Sequence, residues 1–352
     1  KALYLSFIVC FLLIVYRNLD IGFVMSPDSY TYSSWADDLI KLDFNLVNYY
    51  SQNTFFRPNY IYTIPVLLIA ILKVIFGTGW QYAFLIFDLI LVLFSLITFS
   101  KILLLLNVRT LVISLSLPLL AISVDLLTWP RYVLSDTIFS FIVLLSIYLV
   151  IKSVVSQKFN YYFIITILFI MFLTRPTSLP YIFSIISFMI ISRFQINYKP
   201  KFIILFIFFI FIIAPFILSA LHQLTKIYLD SNGDFLIWID SVKDGMIIHD
   251  RPETWIDSPN TFLGIVYLYF VRISFFFIPY IEAFSKIHTI INLIHAFFLF
   301  ISIIIWSILG STFKPINISI FLILLISVSV AIFHSFTLID YDWRYRFPII
   351  MP

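Results

Sequence analysis

Residues 202–221 of the chain read FIILFIFFIFIIAPFILSAL, an apolar run of 20 residues without a charged side chain. About 20 residues of α-helix cross the hydrocarbon core of a bilayer. Residues 315–339 form a second such run, and the whole chain is 62% hydrophobic and only 11% charged. These runs are apolar on every face, whereas strands of a membrane barrel alternate apolar and polar residues. The sequence therefore predicts an all-α, polytopic transmembrane protein with about 9–11 apolar helices.

The distribution of charge predicts which connections lie on which side of the membrane. The loops at 18–58 and 219–262 hold 5 and 7 of the 18 acidic residues. The short connectors 101–109, 152–158 and 193–201 hold seven Lys or Arg residues and no acid. By the positive-inside rule these connectors are cytoplasmic, and the two acidic loops face outward.

This topology leaves the apolar stretch 59–76 with both of its flanks outside. We therefore predict that it lies along the membrane interface or re-enters, with Gly77 ending it and Lys73 reaching the headgroups. The segment 262–280 carries Arg272 in its middle, so the sequence does not decide whether this segment crosses the membrane. No internal repeat is visible, and we expect residues 1–352 to form a single domain trimmed at both ends.

The first outer loop is predicted to contain a surface helix. Ser26 is a suitable N-cap, Pro27 suits the first helical position, and Asp28 then lies in the first turn, where the helix dipole favours a carboxylate. An apolar face follows at helical spacing, formed by Tyr32, Trp35, Ala36 and Leu39. Asp28 is a candidate general base or metal ligand at the membrane surface, and helix capping alone would also explain it.

Two further residues are candidates because of where they interrupt the apolar runs. Asp136 opens an apolar run directly after Ser135, which could cap that helix; an acid just outside a membrane helix is also common for structural reasons. Arg175 lies between two apolar runs, at a depth where a cation normally needs an anion. That anion could be a lipid headgroup or the phosphate of a lipid substrate.

Other polar clusters lie in the predicted outer regions. The phosphate-binding candidates are Arg57, Arg344 and Arg346, because a guanidinium group can bind phosphate. The candidate acceptor loop is His249, Asp250 and Arg251. For each cluster, the alternative is a solvated loop or an aromatic membrane belt.

The chain has no Gly-rich phosphate loop, no His-Glu-x-x-His pair and no Cys-x-x-Cys, so nucleotide chemistry and tightly held zinc are unsupported. The basic residues are topogenic or isolated, which argues against nucleic-acid binding.

The order of these features resembles the GT-C glycosyltransferases, in the branch of protein O-mannosyltransferases and the aminoarabinose lipid A transferase. The resemblance covers nearly the whole chain, although each motif is short. The matching segments are Ser26 to Tyr30, Arg57-Pro58, Phe76-Gly77, Leu134 to Asp136, Thr174 to Pro176 and Arg344 to Pro348. In the commonest pattern a Glu or Ala follows the first acid and His or Lys replaces Arg57. These departures leave the sugar and the acceptor open.

The resemblance implies a lipid-phosphate-sugar-dependent hexosyl- or pentosyltransferase in the bacterial plasma (inner) membrane with an outward-facing site. It implies Asp28 as catalytic base or metal-associated residue, Asp136 as a residue that positions the acceptor or a metal, and Arg175 as the donor-phosphate ligand. A divalent metal ion held by the two acids is the only cofactor it suggests. The implied partners are a polyprenyl-phosphate-linked sugar, a glycan, lipid or protein acceptor, and membrane lipids.

Two other functions remain as alternatives. A polysaccharide polymerase or ligase would also bind lipid-linked sugars through outward arginines. A transporter of lipid-linked sugars would place ionisable residues in the membrane core, often with repeated halves. Among the apolar segments such residues are limited to Asp88 and Arg272, so we favour the transferase.

Overall fold

The computed structural model describes residues 2–52, 59–158, 160–193, 199–229, 244–248, 251–279, 285–309, 314–337 and 348. Within these ranges the regular structure is α-helix with short 3-10 turns, and the only strand-like pairing is one isolated bridge. The predicted all-α class is confirmed. The chain divides into two compact units, residues 1–193 with 344–352 and residues 194–343. Each is described by itself, and the single-domain organisation stays a prediction.

The polytopic character is also confirmed. Among the described residues, six helical stretches are long and apolar enough to cross a membrane, or seven if a bent pair is counted as one span. They are Ala2–Ile21, Tyr60–Leu105, Asp136–Ser156, Pro200–Gln223, Lys286–Leu309 and Pro315–Phe336. The bent pair is Thr110–Ala121 with Val124–Arg131, at 58°. Three shorter apolar helices are Tyr161–Phe172, Ser178–Ser192 and Phe262–Phe276.

The first unit contains ten α-helices within its described residues. They are α1 (Ala2–Ile21), α2 (Pro27–Lys41), α3 (Leu46–Ser51), α4 (Thr63–Phe76), α5 (Trp80–Leu105), α6 (Thr110–Ala121), α7 (Val124–Thr128), α8 (Asp136–Ser156), α9 (Tyr161–Phe172) and α10 (Ser178–Arg193). Short 3-10 turns lie at Asn59–Tyr62, Gly77–Gly79 and Trp129–Arg131. The long stretch Tyr60–Leu105 is interrupted at Gly77, whose φ of +54° disfavours any residue with a Cβ.

Side-chain contacts define how the helices of the first unit run. Ser6 of α1 donates to the Ser114 carbonyl of α6, and Val24 pairs with Tyr132, so α1 and the α6–α7 segment run parallel. The ring of Phe94 in α5 lies 6.3 Å from the ring of Phe141 in α8. Closer to the start of both helices, Asp88 of α5 lies beside Thr137 of α8. Helices α5 and α8 therefore also run parallel.

The same kind of contact fixes the ends of α8 and α10. Phe139 of α8 packs edge-on against Tyr181 of α10 at 5.1 Å, so the starts of these two helices lie together. As a result, the starts of α5, α8 and α10 occupy one end of the unit. The basic connectors 101–109 and 152–158 occupy the other end.

The second unit contains α11 (Pro200–Leu229), α12 (Phe262–Phe276), α13 (Lys286–Leu309) and α14 (Lys314–Phe336), with a 3-10 turn at Pro252–Thr254. Helix α12 packs against both α11 and α14. Phe211 of α11 meets Phe270 of α12 edge-on at 5.4 Å, and Tyr269 stacks on Phe336 of α14. Aromatic side chains thus form much of the contact surface in this unit.

Candidate functional site

The start of α2 has the capping geometry that the sequence predicts. The Ser26 hydroxyl accepts a hydrogen bond from the Ser29 backbone N–H at 3.3 Å, and the Ser29 hydroxyl accepts one from the Ser26 N–H at 3.0 Å. This reciprocal pair is a capping box, and Pro27 occupies the first turn. Asp28 therefore lies at the positive end of the helix dipole. The predicted N-cap and the predicted position of Asp28 are confirmed.

A short backbone pairing brings the starts of α2 and α8 together. The Val24 N–H donates to the Arg131 carbonyl at 2.8 Å, and the Val133 N–H donates to the Val24 carbonyl at 3.2 Å. This is a parallel bridge between Val24 and Tyr132. Asp28 and Asp136 each lie four residues beyond the paired residue, and each lies in the first turn of a helix. The two candidate acids therefore lie at the same end of the unit.

Asp136 forms a buried ion pair with Arg175. Arg175 Nη1 donates to Asp136 Oδ1, and the two residues are 5% and 1% exposed. The sequence predicted that Arg175 needs an anion, and the described structure provides Asp136 as that anion. Ser135 is at the N-cap position of α8 as predicted, but its hydroxyl makes no capping hydrogen bond. Arg175 itself sits just before α10, in the turn closed by the bond from Ser178 N–H to its carbonyl.

Tyr32 lies near both acids. It lies one helical turn after Asp28 on the buried face of α2, and its phenol is within electrostatic range of Asp28, Asp136 and Arg175. Burial, reinforced by the nearby Tyr62, raises the pKa of the Tyr32 phenol well above its usual value. The phenol therefore remains neutral at physiological pH and can donate a hydrogen bond.

The surface around Tyr32 is aromatic. The rings of Tyr62 and Trp35 lie 5.1 Å and 6.1 Å from the Tyr32 ring, and Tyr62 lies 5.8 Å from Trp35. Asp28 beside this cluster is partly exposed, in contrast to the buried Asp136. A half-buried carboxylate beside aromatic rings can meet a ligand that approaches from the surface, whereas Asp136 is already engaged inside.

The helix starts beside Arg175 offer hydrogen-bond donors to an anion. Helix starts present unpaired backbone N–H groups and a partial positive charge, and those of α8 and α10 converge beside Arg175. The Tyr181 hydroxyl of α10 is within electrostatic range of both Arg175 and Asp136. Backbone N–H groups at this point could therefore donate hydrogen bonds to an anion.

A divalent metal ion fits the described residues poorly. Among them, no group of three or more His, Cys, Asp or Glu side chains is close enough to hold a metal. Of the two acids that the resemblance offers as ligands, Asp136 already pairs with Arg175. We therefore derive no step through a metal ion.

Several predicted site residues lie outside the described ranges. These are Arg57, Arg344, Arg346, His249 and Asp250. Arg251 is described and belongs to the second unit, where its guanidinium lies 3.6 Å from the Glu253 carboxylate. Its proposed place in an acceptor loop stays a prediction.

Sequence analysis missed the part that Tyr32 plays. It assigned Tyr32 to the apolar face of a surface helix, and Tyr32 is indeed buried there. Its position four residues after Asp28 was the available signal, because residues i and i+4 share a helix face. No family model, curated protein or solved structure matches the chain.

Proposed function

We propose that this chain is a membrane glycosyltransferase that moves a sugar from a polyprenyl-phosphate donor to an acceptor at the outer face of a bacterial plasma membrane. The observation that carries the proposal is the juxtaposition of two helix starts, each with an acid, beside a buried arginine. A transfer of this kind needs a base for the acceptor and positive charge for the departing phosphate. The start of α2 supplies the first and the starts of α8 and α10 supply the second.

The outward orientation is supported by the two ends of the first unit. The basic connectors 101–109 and 152–158 lie at the end opposite to Asp28 and Asp136. Positive connectors are retained in the cytoplasm, so the acids face outward. A lipid-linked donor reaches such a site laterally from the membrane, and no nucleotide is needed there.

In the proposed reaction, the acceptor hydroxyl oxygen forms a bond to the anomeric carbon of the donor sugar. The bond from that carbon to the phosphate oxygen breaks, and its electron pair leaves with the polyprenyl phosphate. Asp28 takes the proton of the acceptor hydroxyl, since it is the more accessible of the two acids. The neutral Tyr32 phenol donates a hydrogen bond to the acceptor or to the departing phosphate.

Arg175 stabilises the departing phosphate while Asp136 holds its guanidinium in place. A guanidinium has five N–H donors, so a single arginine can bind a carboxylate and a phosphate together. Asp136 then acts as a positioning residue. This division of roles refines the resemblance, which implied an acceptor or metal role for Asp136.

Lipid-linked sugar transport is the second candidate function. It is favoured by Asp88, a carboxyl group fully buried in an apolar helix. Transport would move the intact donor across the membrane, whereas transfer releases free polyprenyl phosphate. A polymerase or ligase would release the lipid carrier as well, and the chain length of its product would identify it.

The test uses purified protein in liposomes with a panel of radiolabelled polyprenyl-phosphate hexoses and pentoses, together with acceptor-containing membrane extract. We expect label in the acceptor fraction and stoichiometric free polyprenyl phosphate. Asp28→Asn should slow the transfer by about 100-fold or more, because the amide cannot take a proton. The matched control is Asp38→Asn, which changes an acid of the same helix that pairs with Lys41.

Equal transfer rates in Asp28→Asn and wild-type protein would remove Asp28 as the base. Movement of intact donor across the bilayer without release of polyprenyl phosphate would replace the proposal with transport.

A further inference from the structure

Asp88 is a buried carboxyl group that the proposed reaction does not use. It lies in α5, two turns after the helix starts at Trp80, and it is fully buried. Neither of its carboxylate oxygens has a hydrogen-bond partner. A carboxyl group inside an apolar protein interior holds a proton or binds a cation, since an isolated charge there is very costly.

The oxygen atoms around Asp88 are also unsatisfied. The Thr137 hydroxyl lies within reach of the Asp88 carboxyl group. Ser140 follows one turn later on the same face of α8. Of the 15 buried side-chain atoms without a hydrogen-bond partner in the described residues, five belong to Asp88, Ser135, Thr137 and Ser140. Because native proteins satisfy nearly all buried polar atoms, such a concentration indicates a bound species.

Asp88 would need a compensating cation if it were ionised, because no Lys or Arg among the described residues forms an ion pair with it. Asp136, which is within electrostatic range of Asp88, is neutralised by Arg175. Two other cations on segments packed against α5 have contacts of their own. Lys73 pairs with Asp37, and Arg131 lies over the Tyr132 ring. One monovalent cation would balance Asp88.

We propose that Asp88 and the hydroxyl groups of Thr137 and Ser140, between α5 and α8, form a binding site for a single sodium ion. All of these ligands are oxygen atoms, which suits a hard cation and excludes the nitrogen and sulfur sites of transition metals. A single carboxylate favours a monovalent ion over a divalent one. The site does not depend on the proposed glycosyl transfer, and its test uses no sugar substrate.

The experiment measures thermal unfolding of the purified protein in detergent, in NaCl, KCl or choline chloride at equal ionic strength. Sodium bound only to the folded protein stabilises it by mass action. Above the dissociation constant, each roughly tenfold rise in sodium should increase Tm by about 2–4 °C. Potassium should act more weakly and choline should have no such effect. Binding of radioactive sodium to the same protein gives a direct second measurement.

Three variants identify the site. Asp88→Asn should abolish the response to sodium, and in choline chloride it should unfold near the wild-type Tm, because the amide is neutral and needs no bound cation. Thr137→Val keeps the charge and loses one ligand, so the sodium concentration for half-maximal stabilisation should rise on the order of tenfold. The matched control Ser95→Ala, whose hydroxyl bonds within α5 to the Leu91 carbonyl, should respond like the wild type.

A wild-type Tm that is equal in sodium, potassium and choline would overturn the proposal and leave Asp88 as a protonated acid. Equal sodium responses in wild type and Asp88→Asn would also overturn it, since the effect would then be a general salt effect. If Asp88→Asn does not fold, Thr137→Val and the direct binding measurement decide in the same way.

Discussion

Among the described residues, each of the two compact units buries one arginine, and the two arginines are satisfied in different ways. Arg175 in the first unit pairs with a carboxylate, that of Asp136. Arg272 in the second unit donates to two backbone carbonyls, those of Met246 at 3.1 Å and Thr337 at 3.0 Å. Its Nε has no hydrogen-bond partner, and no described carboxylate forms an ion pair with it. Both side chains are nearly inaccessible to solvent.

This difference suits the reactive role that we propose for Arg175 and a structural role for Arg272. Arg175 lies at converging helix starts, beside acids and unsatisfied hydroxyl groups, where charge can be rearranged during a reaction. Arg272 joins α12 to the loop around Met246 and to the end of α14, where the negative end of the helix dipole favours a cation. We infer that Arg175 serves function, while Arg272 holds three segments of the second unit together.

The largest effect is expected at Arg175. Arg175→Met should cost about 3–5 kcal/mol of stability, because it leaves the Asp136 carboxylate buried without a cation. The double variant Asp136→Leu with Arg175→Met removes both charges and should recover most of that loss. Transfer activity should be absent in both variants. Unfolding curves in mixed detergent, together with the release of polyprenyl phosphate, measure the two effects separately.

If the double variant were as unstable as the single one, lost side-chain packing, and not an unpaired buried charge, would explain the loss of stability. If the double variant still transferred sugar, neither residue would belong to the catalytic site.

A smaller effect is expected at Arg272. Arg272→Met leaves two buried carbonyls without a donor, but it also removes a desolvated cation, so we expect a net cost of about 1–3 kcal/mol. Arg272→Lys keeps the charge with fewer donors and should fall between wild type and Met. Polyprenyl phosphate release should persist in both folded variants. Loss of transfer in a stable Arg272→Lys protein would contradict the structural role of Arg272. Both arginines would then be required for transfer.

The sequence predicted those features that depend on local chemistry. Apolar runs fixed the helical class, and Ser26-Pro27-Asp28 predicted the start of α2 because capping is decided by adjacent residues. The need of Arg175 for an anion was also predictable from its apolar surroundings. Its partner was not, since Asp136 lies 39 residues earlier and only the packing of α8 against α9 and α10 brings them together.

The same reason explains what the sequence missed at Asp88 and at the bridge between Val24 and Tyr132. Hydrophobic periodicity describes one segment at a time, whereas these features depend on which segments become neighbours. The sequence identified Asp88 as an ionisable residue within an apolar segment. It gave no sign that the Thr137 hydroxyl of α8 would lie beside it.

The last prediction concerns the side of the membrane on which the site of Arg175 and the two acids lies. The start of α4 lies at the same end of the unit as this site, because the Ile64 N–H donates to the carbonyl of Leu173, two residues before Arg175. Near the other end of α4, Lys73 donates to the Ser33 carbonyl at 2.9 Å and pairs with Asp37, both in α2. We therefore predict that α4 follows the surface helix α2 and does not cross the membrane. Gly79 should then lie outside, at the start of α5.

A Cys10→Ala, Gly79→Cys protein tests this with almost no cost in stability. No atom lies within 4 Å of a Cβ added at Gly79, and the φ of −89° suits any residue. A membrane-impermeant maleimide should label this cysteine in intact cells. The matched control is Ser156→Cys in the same background; Ser156 is exposed at the opposite end of the unit and should react only after permeabilisation. Labelling of Gly79→Cys only after permeabilisation would mean that α4 spans the bilayer, and the outward placement of Asp136 and Arg175 would then be wrong.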